Sequence, residues 1–151
     1  MNYKRLIVSL VFPQIAGIVG SVFTISAIPT WYATLQKPSF SPPNWIFGPV
    51  WILLYILMGI SIYLIWQKEK KETFWFFWIH LAFNALWSII FFGLKEPGLA
   101  FINIIIILFM IIILMIKFYK INKWASYLLI PYFLWVSFAS LLNFFIFYLN
   151  L

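Results

Sequence analysis

The stretch "GLAFINIIIILFMIIILMI", residues 98–116, carries no charge and a single amide, Asn103. At about 1.5 Å per residue, a helix of this length crosses most of the ~30 Å hydrocarbon core of a bilayer. Apolar residues fill every face, so no side could be turned to water. Working outward, four more apolar runs recur, and five spans can be drawn at about 6–28, 46–66, 74–94, 98–117 and 124–149. Of the 151 residues, 66% are hydrophobic and 9% charged, against roughly 25% charged in an ordinary soluble domain. The sequence therefore predicts an all-α polytopic membrane protein, a five-transmembrane-helix bundle with no soluble part. Residues 1–151 read as one domain, since no linker, low-complexity tail or internal repeat divides them. The first span follows Lys4 and Arg5 like a signal peptide, but it exceeds the usual ~7–15-residue apolar region and is read as a retained helix.

The formal charge of +7 sits at the ends of the apolar runs. Lys4, Arg5, Lys68, Lys70, Lys71, Lys117, Lys120 and Lys123 share one side of the membrane, and only Lys37 and Lys95 lie on the other. This bias predicts a cytoplasmic N-terminus, an external 29–45 connector and an external C-terminus. Basic residues so placed meet lipid headgroups, and nucleic acid is not an expected partner. Six tryptophans fit interfacial belts: Trp31 and Trp45 outside, with Trp66, Trp75, Trp78 and Trp124 inside. Trp51, Trp87 and Trp135 remain, all within spans.

Several chemistries are excluded. There is no Cys and no Asp, and Glu69, Glu72 and Glu96 all fall in connectors. No intramembrane carboxylate is available for acid–base work or for a coupling proton. His80 is the sole histidine, so no multi-histidine metal site is expected. A lone histidine at helix spacing more often packs or hydrogen-bonds between helices than ligates haem.

Aromatic and amide side chains at helical spacing are what remain. His80, Asn84, Trp87 and Phe91 share one face of the third span, and Trp51, Tyr55, Met58, Ile62 and Trp66 share one face of the second. Trp135, Ala139, Leu142 and Asn143 cluster on the fifth. Each stripe alone is ordinary helix packing. Together they fall at similar depth, in the middle to outer half of the membrane, with small residues (Ala82, Ala85, Ser88, Ala139, Ser140) to leave room. Directly above lies "WYATLQKPSFSPPNWIFGPVW", residues 31–51, with four prolines and one charge. Pro38, Pro42, Pro43 and Pro49 would hold such a connector in shape at low entropic cost. The expectation is an aromatic-walled cavity that opens outward beneath a rigid lid.

These residues resemble a known family. "WYATLQKPSFSPPNWIFGPVWILLYILMG" is similar to the signature of the TspO/MBR family, and "HLAFNALWSIIFFGLK" (80–95) and "LLIPYFLWVSFASLLN" (128–143) continue the match. The resemblance covers nearly the whole chain and implies a bacterial member with five helices, commonly a homodimer. It implies a membrane tetrapyrrole-binding protein, for protoporphyrin IX or haem-like ligands, acting in porphyrin sensing, transport or light-dependent degradation. Isoquinoline-carboxamide and benzodiazepine-type drugs would occupy the same cavity. By the family pattern Tyr32 and Pro42 contribute from the connector, Trp51 and Tyr55 from span two, and Asn84, Trp87 and Phe91 from span three. Trp135, Ala139 and Leu142 come from span five. The resemblance also implicates Trp51 and Trp135 as catalytic residues for breakdown of protoporphyrin in light. Porphyrin would be ligand or substrate; no resident cofactor or metal is implied.

Two positions depart from the family. Its proposed cholesterol motif needs a basic residue after a tyrosine, but only Leu149, Asn150 and Leu151 follow Tyr148, which puts sterol binding in doubt. His80 stands where relatives often have glutamine. The competing function is a structural or regulatory membrane partner without small-molecule chemistry of its own. A bacterial cell membrane is the expected location.

Overall fold

The computed structural model describes residues 2–68 and 70–151. It is all helical: α1 (Tyr3–Ala27), α2 (Phe47–Trp66), α3 (Lys71–Ser88), α4 (Pro97–Ile121), α5 (Lys123–Tyr127) and α6 (Ile130–Leu149). Five segments are long and apolar enough to cross a membrane, with α5 and α6 forming one of them. All five start one to three residues before the sequence-drawn span; the first, Tyr3–Tyr32, exceeds it most, while the third stops one residue short at Gly93.

Local chemistry explains the ends. The Asn2 side chain caps α1 by accepting from Arg5 N at 3.2 Å. Pro97 opens α4, where a missing N–H costs nothing. Asn122 stops α4 and caps α5, its Oδ1 accepting from Trp124 N at 2.9 Å. Pro131 cannot donate backward, so the chain breaks between α5 and α6 at Leu128–Leu129. At one turn, Lys95 is held at φ 59°, a conformation that favours glycine.

Pro13 lies inside α1 and is buried. Lacking an N–H, it frees the carbonyl of Ser9 one turn back. There α2 approaches so closely that a Cβ at Gly59 would stand 2.6 Å from the Ser9 oxygen. The proline and the glycine together bring α1 and α2 backbone to backbone. Further along, α1 packs on α3, α3 on α4, and α4 on α6.

Two ends of the bundle differ. At the basic end, Ile65, Phe77, Ile111, Leu114, Phe118 and Leu129 form a closed apolar core. The Lys117 ammonium donates to Glu72 Oε1 at 2.6 Å on the exposed rim, and Arg5 Nη1 donates to the Trp66 carbonyl at 3.2 Å. At the loop end, α1 and α3 both finish in π-helical turns, Ile28–Tyr32 and Ile89–Gly93. Pro29 lies in the first and removes a ladder bond, which favours the wider turn. Tyr32 therefore sits on the end of the first helix, not in the connector where the sequence reading placed it. The irregular connector is shorter than drawn, covering 35–43. On the outside, Ile7, Val22, Phe109 and Leu134 face outward, as lipid-facing positions should.

Candidate functional site

The loop end encloses a cavity of about 440 Å³ between α1, α2, α3, α4 and α6. Nine of the ten site residues expected from sequence line it: Tyr32, Trp51, Tyr55, Asn84, Trp87, Phe91, Trp135, Ala139 and Leu142. Pro42 does not. It lies in the connector two residues before Asn44, the first residue beyond that connector to reach the wall. Of the small residues, Ser88 and Ala139 face the cavity, whereas Ala82, Ala85 and Ser140 do not.

The walls are aromatic and fixed by one another. Trp51 stacks on Tyr55 with centroids 5.5 Å apart and meets Tyr132 edge-on at 6.3 Å. Trp87 stacks on Phe91 at 5.1 Å, and its Nε1 donates to Asn143 Oδ1 at 3.0 Å. Asn143 in turn donates to the Pro97 carbonyl at 2.8 Å, which ties α3, α4 and α6 at this level. Trp135 packs edge-on against Phe47 at 5.9 Å. Its indole Nε1 is buried and has no hydrogen-bond partner among the described residues.

Polar groups form a chain at the floor. Tyr55 OH donates to Asn84 Oδ1 at 2.7 Å, and Asn84 Nδ2 donates to Tyr132 OH at 2.8 Å. Tyr132 OH and His80 Nε2 are 2.8 Å apart. Tyr55 and Asn84 face the cavity; Tyr132 and His80 lie fully buried behind it. His80 thus makes an interhelical hydrogen bond, from α3 to α6. Among the described residues no cluster of three His, Cys, Asp or Glu could hold a metal.

The connector is fastened over this end. Asn150 grips Gln36 twice, accepting from its N–H at 2.9 Å and donating to its carbonyl at 2.8 Å. Phe40 packs on Phe145 at 5.5 Å and on Phe138 at 6.2 Å. The Lys37 ammonium lies 4.6 Å from the Tyr32 ring centroid and donates to the Leu35 carbonyl at 3.2 Å.

One whole wall was missed by the sequence reading. Gln14, Gly17, Gly20, Ser21 and Thr24 of α1 line the cavity. Their spacing of i, i+3, i+6, i+7 and i+10 is a small and polar helical stripe, and Ile18, Ile25 and Ile28 complete the wall. Close packing and open wall meet at Gly17, where a Cβ would stand 2.5 Å from the Tyr55 ring. Asn143 was placed in the right cluster but not in the site.

Five helices long and apolar enough to cross a membrane, around an aromatic, amide-floored cavity at one end, define an integral membrane protein. A family model for the TspO/MBR family matches residues 9–149. The chain is 43% identical to the tryptophan-rich protein TspO of Archaeoglobus fulgidus, over 99% of both chains. It is 41% identical to the protein of that name from Chlorobaculum tepidum, over 89% of this chain and 88% of the relative. Against the human translocator protein it is 36% identical, over 87% of this chain and 82% of the relative. The chain belongs to the TspO/MBR family.

Proposed function

We propose that this protein binds tetrapyrroles of the protoporphyrin IX or haem type in the loop-end cavity and serves their sensing, transport or degradation. The observation that carries the reading is the cavity itself, about 440 Å³, walled by Trp51, Trp87, Trp135 and Phe91 with few polar groups. Flat indole faces suit a flat macrocycle, and sparse polar groups suffice to orient it. Isoquinoline-carboxamide and benzodiazepine-type drugs fit the same description. The chain would lie in a bacterial cell membrane, with its N-terminus in the cytoplasm and its C-terminus external on the strength of its basic-residue asymmetry. A homodimer is proposed from the family resemblance.

Light-dependent breakdown of the porphyrin is a second reading, favoured by two indoles, Trp51 and Trp135, on the wall of one largely apolar cavity. Titrating the full chain in lipid nanodiscs with protoporphyrin IX, in dark and in light, tests both. Saturable quenching of tryptophan fluorescence in the dark is expected for binding; its absence leaves a structural partner protein. Loss of porphyrin absorbance on illumination supports breakdown. Trp51→Phe and Trp135→Phe keep an apolar wall, so an unchanged rate of loss in both would remove the catalytic role.

A further inference from the structure

The basic end carries a second concavity, on the outside of the bundle and away from the loop-end cavity. It is an open groove of about 290 Å³ at the end of α4 beside α5, lined by Met115, Ile116, Tyr119, Lys120 and Ser126. Ser126 is buried, and its hydroxyl proton is spent on the Met115 carbonyl at 2.8 Å. Met115, Ile116 and Tyr119 make the rest of the groove thioether, aliphatic and aromatic surface, with one ammonium, that of Lys120. Along α4, Ile112, Ile116 and Lys120 follow at i, i+4 and i+8, and all three are exposed. Over about 12 Å of helix this strip passes from hydrocarbon to charge.

A second ammonium stands at the same place. Asn122, extended at φ −153°, ends α4. Just beyond it Lys123 lies over Tyr119, with Nζ 5.5 Å from the ring centroid. Tyr127 meets Tyr119 at 6.1 Å and Trp124 meets Tyr127 at 5.8 Å, and all three rings are exposed. Exposed amphipathic rings of this kind belong at headgroup level. Lys117, three residues before Lys120, is neutralised by Glu72. Lys120 and Lys123 have no carboxylate partner among the described residues. Two unneutralised cations at headgroup depth, continuous with an exposed apolar strip, are the complement of an anionic amphiphile.

We propose that the α4–α5 groove is a binding site for one anionic glycerophospholipid, its phosphate held between Lys120 and Lys123 and one acyl chain laid along Met115 and Ile116. A soluble anion would leave the apolar part of the groove uncovered. A zwitterionic lipid would bring its own cation against the two lysines, a like-charge pairing that selects against it. A lipid seated here touches both α4 and α5, and it stabilises the folded chain by mass action. The site is separate from the loop-end cavity, so its test does not depend on what that cavity binds.

Native mass spectrometry of the full chain, released from detergent micelles, tests the site by titrating dioleoyl phosphatidylglycerol against dioleoyl phosphatidylcholine. One phosphatidylglycerol per chain should be retained, with a preference of about tenfold or more, the worth of two lysines at a membrane surface. The preference should fall to about threefold or less in Lys120→Gln/Lys123→Gln. It should persist in Lys4→Gln/Lys68→Gln, which removes the same charge elsewhere at the basic end. Ile116→Asn keeps both lysines and should weaken phosphatidylglycerol binding about threefold or more, through lost apolar contact. All five residues are exposed, so the variants keep the fold, and circular dichroism checks this. Phosphatidylglycerol should also raise the thermal midpoint of the unaltered chain and of Lys4→Gln/Lys68→Gln, but not that of the groove double variant. Equal losses in the two double variants would show diffuse attraction to basic charge and overturn the proposal. So would an unmoved preference in Lys120→Gln/Lys123→Gln, full affinity in Ile116→Asn, or displacement of the lipid by equimolar glycerol 3-phosphate, which carries the anion without the chain.

Discussion

The two ends of the bundle are built from the same apolar and aromatic residue types, yet one is solid and the other hollow. At the basic end Phe77 stacks on Phe118 at 6.4 Å, and both are fully buried among Ile65, Ile111 and Leu114. At the loop end, Trp51, Trp87 and Trp135 stand around an open volume and are only partly buried. Composition does not separate these ends. Backbone does: π-helical turns at Ile28–Tyr32 and Ile89–Gly93 widen the two helices there, and small residues on α1 withhold the side chains that would fill the gap. π-turns recur at functional sites for this kind of reason.

If that contrast is right, truncation should cost most at the solid end. Phe118→Ala removes a fully buried ring from dense packing and should destabilise by about 3 kcal/mol or more. Phe47→Ala, beside Trp135 on the wall of an existing void, should cost less than half as much. Thermal or denaturant unfolding in one detergent compares them directly. Equal losses would mean that the loop end is as tightly packed as the basic end.

Filling the hollow end tests it from the other direction. Gly17→Val drives a branched side chain into the Tyr55 ring, where a Cβ alone already stands 2.5 Å away. Overpacking of this kind costs about 1–3 kcal/mol. The Trp51–Tyr55 stack must shift, and protoporphyrin affinity should fall about tenfold or more with the helical circular-dichroism spectrum unchanged. Full affinity in this variant would show that the ligand does not use this wall.

A smaller effect is expected at the fastening of the connector. Asn150→Ala removes both bonds to Gln36 while leaving the cavity residues in place. Each bond contributes about 1 kcal/mol net at most in a solvated position, so ligand dissociation should quicken about three- to tenfold. Stopped-flow release of bound protoporphyrin measures it, and an unchanged rate would mean that exchange does not pass the connector. The smallest change lies at Lys95, whose φ of 59° strains a side-chain-bearing residue. Lys95→Gly should raise stability by roughly 1 kcal/mol, with binding untouched.

How much of the site was legible varies by helix. On α3, His80, Asn84, Trp87 and Phe91 follow helical periodicity, so their common inward face could be read directly, and the structure buries or half-buries each of them. On α1, glycine, serine and threonine carry no aromatic signal, and the same small stripe serves close packing and an open wall equally well. The distinction depends on what stands opposite, and Tyr55 and Ser88 are far away in sequence. Tyr32 was identified but misplaced, because a π-turn that carries the helix through Pro29 leaves no mark in hydrophobic periodicity.

The amino-acid sequence by itself determined that this chain lives in a bilayer as five helices, because apolar length and the scarcity of charge allow nothing else. It also determined the family, through aromatic, amide and proline residues at set spacings. Tertiary structure alone decided that the loop end is hollow, that α1 supplies a wall, and that Asn150 reaches back to Gln36. It alone joined Tyr55, Asn84, Tyr132 and His80 into one hydrogen-bonded chain. Periodicity reports which face of a helix turns inward; only packing reports which neighbour it meets there.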